Sequence, residues 1–280
     1  MDAVIETDRL SKSYGPFRGI VDVDLLVVQG EIFGFLGPNG AGKTTTIRVL
    51  LDLIRPTSGR AKVFGIETSS DPVAIHRRIG YLPGEWNLYD RLTGAETITY
   101  FANLRGGIDR AYVDQLVQRL DLDPSRRFRE YSKGNKQKVG LICALQHRPE
   151  LLILDEPTAG LDPLVQQTFN ELLFEARGEG RTVFLSSHII SEVERTCDRV
   201  AIIREGRIVR QDTVEGVRAL AAHEVELRFA APVVRLAGQY DLVDFVSREP
   251  SLEEVFLAEY GTAHAAMAPA ETPPPTTPAR

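Results

Sequence analysis

From residue 1 to about 220 the chain alternates short apolar runs with longer amphipathic stretches, the pattern of a sheet buried between helices in an α/β domain. The runs at 25–28, 151–154 and 200–203 are strand-sized and end in polar residues or glycine. Glu31-Ile32-Phe33-Gly34-Phe35-Leu36 reads as a further strand, and Thr45-Thr46-Ile47-Arg48-Val49-Leu50-Leu51 as a helix after it. Between about 85 and 150 strand-like runs give way to a helical period, with Val113, Leu116, Val117 and Leu120 at i, i+3, i+4 and i+7. That stretch is expected to be a helical subdomain set into the α/β domain. Beyond it, Val225, Leu227 and Phe229 alternate with Glu226 and Arg228, which predicts a half-exposed strand. Ser251-Leu252-Glu253-Glu254 forms a capping box before a short helix. Residues 221–261 therefore read as a small α+β appendage, and 262–280, with Pro269, Pro273, Pro274, Pro275 and Pro278, as a disordered proline-rich tail.

Composition narrows the function class. At 280 residues the chain exceeds the prior of about 150 for one domain and falls short of two, which suits one large domain plus an appendage. Charged residues at 26% and hydrophobic ones at 43% exclude a disordered or fibrous chain. A net charge of -6 supplies no basic field for a nucleic-acid backbone, so no nucleic-acid partner is expected. No apolar run approaches the ~20 residues of a membrane span, and the start lacks the basic-then-apolar pattern of a secretory signal, so the chain is expected in the cytoplasm. The two cysteines, Cys143 and Cys197, make neither a disulfide framework nor a zinc cluster and read as buried free thiols.

The chemistry begins at Gly37-Pro38-Asn39-Gly40-Ala41-Gly42-Lys43-Thr44, a complete GxxxxGK(S/T) between a strand and a helix. Glycines let backbone N–H groups turn inward around a phosphate chain. Lys43 reaches the β and γ phosphates and Thr44 offers its hydroxyl to Mg²⁺, while the helix N-terminus favours the anion. The apolar strand at 151–154 ends in Asp155 and Glu156. Adjacent carboxylates at a strand end are costly without a cation. Asp155 suits a Mg²⁺ site and Glu156 the polarisation of an attacking water.

Across about 3–220 these motifs, in this order, make the sequence resemble the ATP-binding cassette (ABC) family, whose fold is a P-loop NTPase nucleotide-binding domain with a helical subdomain. The resemblance implies that Tyr14, 23 residues before Gly37, stacks on adenine; a core tyrosine beside Gly15 is the other reading. Tyr131-Ser132-Lys133-Gly134-Asn135 corresponds to the family's LSGGQ signature, with Ser132 and Gly134 unchanged. Those two would offer a hydroxyl and an N–H to the γ-phosphate held by the opposite subunit. Lys133, Lys136 and Lys138 either contact phosphate or form a solvated helix start. Pro157-Thr158-Ala159-Gly160-Leu161-Asp162 resembles the loop through which two cassettes sense each other, and His188 stands where the switch histidine meets the γ-phosphate.

One departure concerns the glutamine that follows the strand Ile79-Gly80-Tyr81-Leu82-Pro83 in the family, where this chain has Gly84 and Glu85. Either Glu85 takes its place near Mg²⁺ or the contact is absent. Trp86, Leu88, Tyr89 and Leu92 either form the groove for a permease's coupling helix or the core of the subdomain. The loose signature, the segment 88–94 and the segment 250–257 are similar to the branch that exports drugs, lipids or polysaccharides.

The implied protein is an ATPase with ATP and Mg²⁺ as cofactors. It would form a homodimer around two ATP molecules, each between residues 37–45 of one copy, Thr45 included, and 132–135 of the other. Lys43, Glu156 and His188 would be catalytic and Thr44, Asp155 and Glu85 would face the metal. Partners would be separately encoded integral-membrane permease subunits, holding the ATPase on the inner face of the cell membrane. The alternatives are a soluble ABC ATPase with a non-transport role, although no long coiled-coil insertion or second cassette is present, an importer subunit, and an ATP-gated module that barely hydrolyses.

Overall fold

The computed structural model describes residues 2–15, 17–85, 90–107, 109–219, 224–229 and 242–248. Two units divide the chain, Met1–Val214 and Glu215–Arg280.

The first unit opens with β1 (Ala3–Tyr14), β2 (Phe17–Val23), β3 (Leu26–Val28) and β4 (Ile32–Leu36), followed by α1 (Lys43–Leu50), β5 (Ser58–Val63) and β6 (Ile66–Glu67). Next come α2 (Pro72–Arg77), β7 (Ile79–Leu82), α3 (Gly94–Asn103), α4 (Arg110–Arg119) and α5 (Lys133–Leu145). It continues with β8 (Leu151–Asp155), α6 (Pro163–Gly178), β9 (Thr182–Ser187), α7 (Ile190–Thr196), β10 (Arg199–Arg204) and β11 (Arg207–Thr213).

The central sheet runs β11-β10-β4-β9-β8-β7, parallel except for the antiparallel edge strand β11. β4, β8 and β9 are buried along their whole length, as strands covered on both faces by other layers must be. Their side chains feed two core clusters. In one of them the Phe33 and Phe184 rings stack with centroids 5.9 Å apart. Register sets the site: Leu36 pairs with Ser187, and Asp155 with Ser186, so the carboxyl ends of β4, β8 and β9 meet. Open α/β sheets bind ligands at that edge. The second sheet, β2-β1-β5-β6 with β3 also on β1, is antiparallel.

Among the described residues between β7 and β8 the regular elements are helical. Val113, Leu116 and Leu120 are buried there, with Val117 packed against them, so the 3.6-residue period read from the sequence faces the core. Thr93 and Glu96 form a reciprocal capping box at the start of α3. Cys143 and Cys197 are free, and burial pushes both thiols up from their ordinary range. Cys143 is buried and Cys197 partly so, and a thiol held neutral in this way is a poor nucleophile.

In the second unit, following α8 (Val214–Arg218), β12 (Glu224–Phe229) pairs antiparallel with β13 (Leu242–Arg248), Leu227 opposite Phe245. β12 matches the strand read from alternation. The expected helix after Ser251, the tail, and Trp86, Leu88 and Tyr89 lie outside the described residues. No helix among the described residues is long and apolar enough to cross a membrane.

Candidate functional site

The turn 37–42 carries the chain from β4 into α1, and its glycines answer two separate demands. A Cβ at position 37 would lie 2.4 Å from Ile203 O, and Gly42 caps α1 in the left-handed region at φ 111°. No side chain caps α1 and no acidic residue sits in its first turn. Its leading N–H groups and the positive end of the helix dipole are left for an anion.

Lys43, buried at the first position of α1, donates from Nζ to Gly37 O at 2.6 Å and Pro38 O at 3.2 Å. Its ammonium also stands 3.1 Å from Glu156 Oε1, as an ion pair rather than an aligned hydrogen bond. Thr44 Oγ1 donates to Asp155 Oδ2 at 2.7 Å, and Ser186 Oγ donates to Asp155 Oδ1 at 2.5 Å. Asp155 is 1% exposed, and a carboxylate so buried is tolerated because each oxygen has a donor. Glu156 follows at φ 50°, a conformation sparsely used by residues with a side chain, held by its N–H to Ser186 Oγ at 3.1 Å. Its Oε2 lies 2.7 Å from His188 Nδ1, beyond the end of β9. Tyr81 is pushed up to about 12 by burial and then by the Asp155 charge, against the opposing pull of Arg48, so the phenol beside this carboxylate stays protonated.

Of these groups Lys43, Thr44 and Glu156 open onto a cleft of 330 Å³ lined also by Tyr14, Gly19, Asn39, Gly40, Gly42 and Thr45, a volume within the range of small-molecule sites. Tyr14 is 44% exposed on that wall, which removes the reading of it as a core residue.

Residues 132–135 are not among the cleft's lining. Ser132 caps α5, accepting from Asn135 N–H at 3.3 Å; Lys133 is exposed, and Asp162 caps α6, accepting from Val165 N–H at 3.0 Å. Lys138 corrects the sequence reading: it is buried and donates to Asp121 O at 2.9 Å, so it neither contacts phosphate nor forms a solvated helix start. Lys136 sits 5.1 Å over the Phe128 ring. Beyond β7 it is Gly84 that faces the carboxylate, since a Cβ there would be 3.3 Å from Asp155 Oδ2, while Glu85 is exposed.

Two further residues join the site without having been picked out from the sequence. Ser186 bridges Asp155 and the Glu156 N–H, and Gln137, 4% exposed on α5, donates to Glu156 O at 3.1 Å and Pro157 O at 3.0 Å. The available signal for Ser186 was its place two residues before His188 in a strand parallel to β8.

The ABC transporter family profile matches residues 20–159. Over 260 residues the chain is 34% identical to the bacitracin transport ATP-binding protein BcrA of Enterococcus faecalis, which spans 90% of this chain and 84% of that protein. Its namesake from Bacillus licheniformis is 36% identical over 262 residues, 91% of this chain and 86% of its own length. Among solved structures, the ATP binding subunit of an ABC transporter shares 33% identity and a TM-score of 0.71, covering 77% of this chain and 92% of that one. With the P-loop lysine and Glu156 on one cleft, and Asp155 and His188 bonded to residues that line it, the chain belongs to the ABC transporter family as an ATP-binding subunit, an ATPase of P-loop fold.

Proposed function

We propose that the chain drives an exporter: two copies close around two ATP molecules and work on separately encoded permease subunits at the inner face of the membrane. The ATP-handling part of this reading is carried by the pairing of both P-loop side chains with the strand-end carboxylates, Lys43 with Glu156 at 3.1 Å and Thr44 with Asp155 at 2.7 Å, and the export part is supported by the relatives named for bacitracin transport. A triphosphate entering along residues 37–45 meets the free N–H groups of α1, and Tyr14 gives its adenine a ring to stack on. Lys43 exchanges its carbonyl and carboxylate partners for phosphate oxygens.

Asp155 and the Thr44 hydroxyl are hard oxygen donors, the set that suits Mg²⁺ completed by phosphate oxygens. When bound, that cation neutralises charge on the phosphates. Gly84 leaves the place beside Asp155 without a side chain, and Glu85 is the neighbouring carboxylate that would take over the missing glutamine's part. His188 orients Glu156, and Glu156 accepts the proton of the attacking water. Ser132 and the Gly134 N–H, displayed on the start of α5, would bind the γ-phosphate held by the partner subunit. ATP then favours the closed dimer and its hydrolysis the open one.

The two relatives named for bacitracin transport make a peptide antibiotic the first substrate class to try. The test is coexpression with the permease from the adjacent reading frame and measurement of resistance and efflux, with Glu156→Gln as the inactive control. Efflux that depends on ATP hydrolysis supports the reading. Active ATP turnover with a permease that takes substrate inward sinks it.

A further inference from the structure

Helix α5 grips the loop after β8 at two points. Gln137 donates from its buried amide to Glu156 O at 3.1 Å and Pro157 O at 3.0 Å. One turn earlier, Gly134 packs so closely on the far part of that loop that a Cβ would lie 2.4 Å from Gly160 O. Ser132, which caps the same helix, is five residues before Gln137, about 7.5 Å along the axis at 1.5 Å per residue. A single rigid rod thus carries the Ser132 hydroxyl at its tip and the anchor of the Glu156 main chain in its second turn.

The peptide groups of Glu156 are held from two sides. Its N–H goes to Ser186 on β9, while its carbonyl takes Gln137 from α5 and the N–H of Ala159 from its own turn. The residue sits at φ 50°, a conformation that persists only where neighbours impose it. Of these neighbours, Gln137 alone comes from the helix that displays Ser132. A small movement of α5 therefore reaches the main chain of Glu156 and Pro157 through the two Gln137 bonds, and the Glu156 carboxylate moves with its own backbone; in so buried a setting an unmade bond is costly. Proton transfer is steep in geometry, with about 1 Å of misplacement costing on the order of 10²-fold in rate.

We infer that Gln137 is a positioning residue that couples the two ATP sites of the dimer. Contact of Ser132 with the partner subunit's nucleotide shifts α5, and Gln137 passes that shift to the Glu156 serving its own subunit's ATP. The inference rests on the homodimer reading proposed above. Because coupling between binding sites is reciprocal, it is read as cooperativity in ATP.

The experiment uses the full chain with two variants. Gln137→Met keeps length and burial but loses both donors, and Gln137→Glu keeps the shape but turns a donor into an acceptor. Turnover is measured against ATP concentration, ATP affinity of the monomer by calorimetry, ATP-driven dimerisation by size exclusion in a Glu156→Gln background, and melting temperature. The expected result is a Hill coefficient falling from above 1 to about 1 and turnover lower by about 10 to 100-fold. Monomer affinity should stay within about twofold and the ATP-bound dimer should still form. A purely structural role would lower the melting temperature of the variants and leave the Hill coefficient of the folded enzyme unchanged, which would overturn the coupling. Failure of the dimer reading shows in the parent instead, as a Glu156→Gln chain that stays monomeric with ATP, and removes the coupling with it. A parent that dimerises cooperatively beside Gln137 variants that remain cooperative overturns the coupling alone.

Discussion

His188 Nδ1 lies 2.7 Å from Glu156 Oε2, so the imidazole after β9 and the carboxylate after β8 form one unit, with Lys43 on the other carboxylate oxygen. A carboxylate held by both neighbours has its oxygens fixed relative to the phosphate loop. Glu156→Gln keeps the size of the side chain but cannot accept a proton, so turnover should fall by about 10² to 10⁴-fold while ATP binding is kept. Removing the charge also relieves repulsion with the γ-phosphate, and the variant should accumulate as an ATP-bound dimer on size exclusion. Near-normal turnover would move the role to His188 or Glu85.

Asp155 is expected to behave differently. Both of its oxygens accept hydrogen bonds from hydroxyls, Thr44 on one side and Ser186 on the other. In Asp155→Asn one of these positions becomes an NH₂ facing a donor, and the charge that suits a divalent cation is lost. The variant should need a higher Mg²⁺ concentration for nucleotide binding as well as for turnover. Calorimetric titration of ATP with and without Mg²⁺ checks this; an affinity gain from Mg²⁺ equal to the parent's would remove Asp155 from the metal site.

Much of this site is legible in the sequence because its parts are local. The phosphate loop is eight consecutive residues between a strand and a helix, and Asp155 and Glu156 end an uninterrupted apolar run. Ser186 and Gln137 escape such reading because each acts across sequence, 31 residues from Asp155 and 19 from Glu156. Their contacts depend on strand register and on helix packing, which no local pattern records. Lys138 escapes for another reason: it is buried on α5 with its ammonium on the Asp121 carbonyl, so a charge in the sequence becomes a buried residue in the fold. The long β1 is likewise obscured, since its register shifts against β2 and β5 break the alternation that marks a strand.

Gly84 and Glu85 stand after β7, where the family resemblance leads one to expect a glutamine. Position 84 faces Asp155 but has no side chain, and position 85 has a carboxylate but is exposed. If Glu85 serves the cation, Glu85→Gln should retain or raise turnover, because the oxygen remains and repulsion with phosphate is removed. Glu85→Ala should lower turnover or uncouple it from the permease. Equal hydrolysis and transport in parent and both variants would place Glu85 outside the site.

At the opposite end of β7, His147 makes stability depend on pH. Its Nε2 is 3.1 Å from Ile79 O, and burial, followed by the Arg105 charge, lowers its pKa to about 4 against the weaker raising effect of that hydrogen bond. In the unfolded chain the ring titrates near ~6.5. Between those values the unfolded state binds a proton that the folded state refuses, so stability rises with pH across this window. The contribution is present in full above about 6.5 and is lost as pH falls towards about 4. Its size is on the order of 2 kcal/mol, since partial contact with water trims the full value of the shift. His147→Gln can still donate to Ile79 O and carries no titrating charge. Urea unfolding of both proteins at several pH values from 7.5 to 4.5 isolates the histidine from the carboxylates they share. The parent should lose more stability than the variant over that range by about 2 kcal/mol, and parallel curves would show that His147 is not the group responsible.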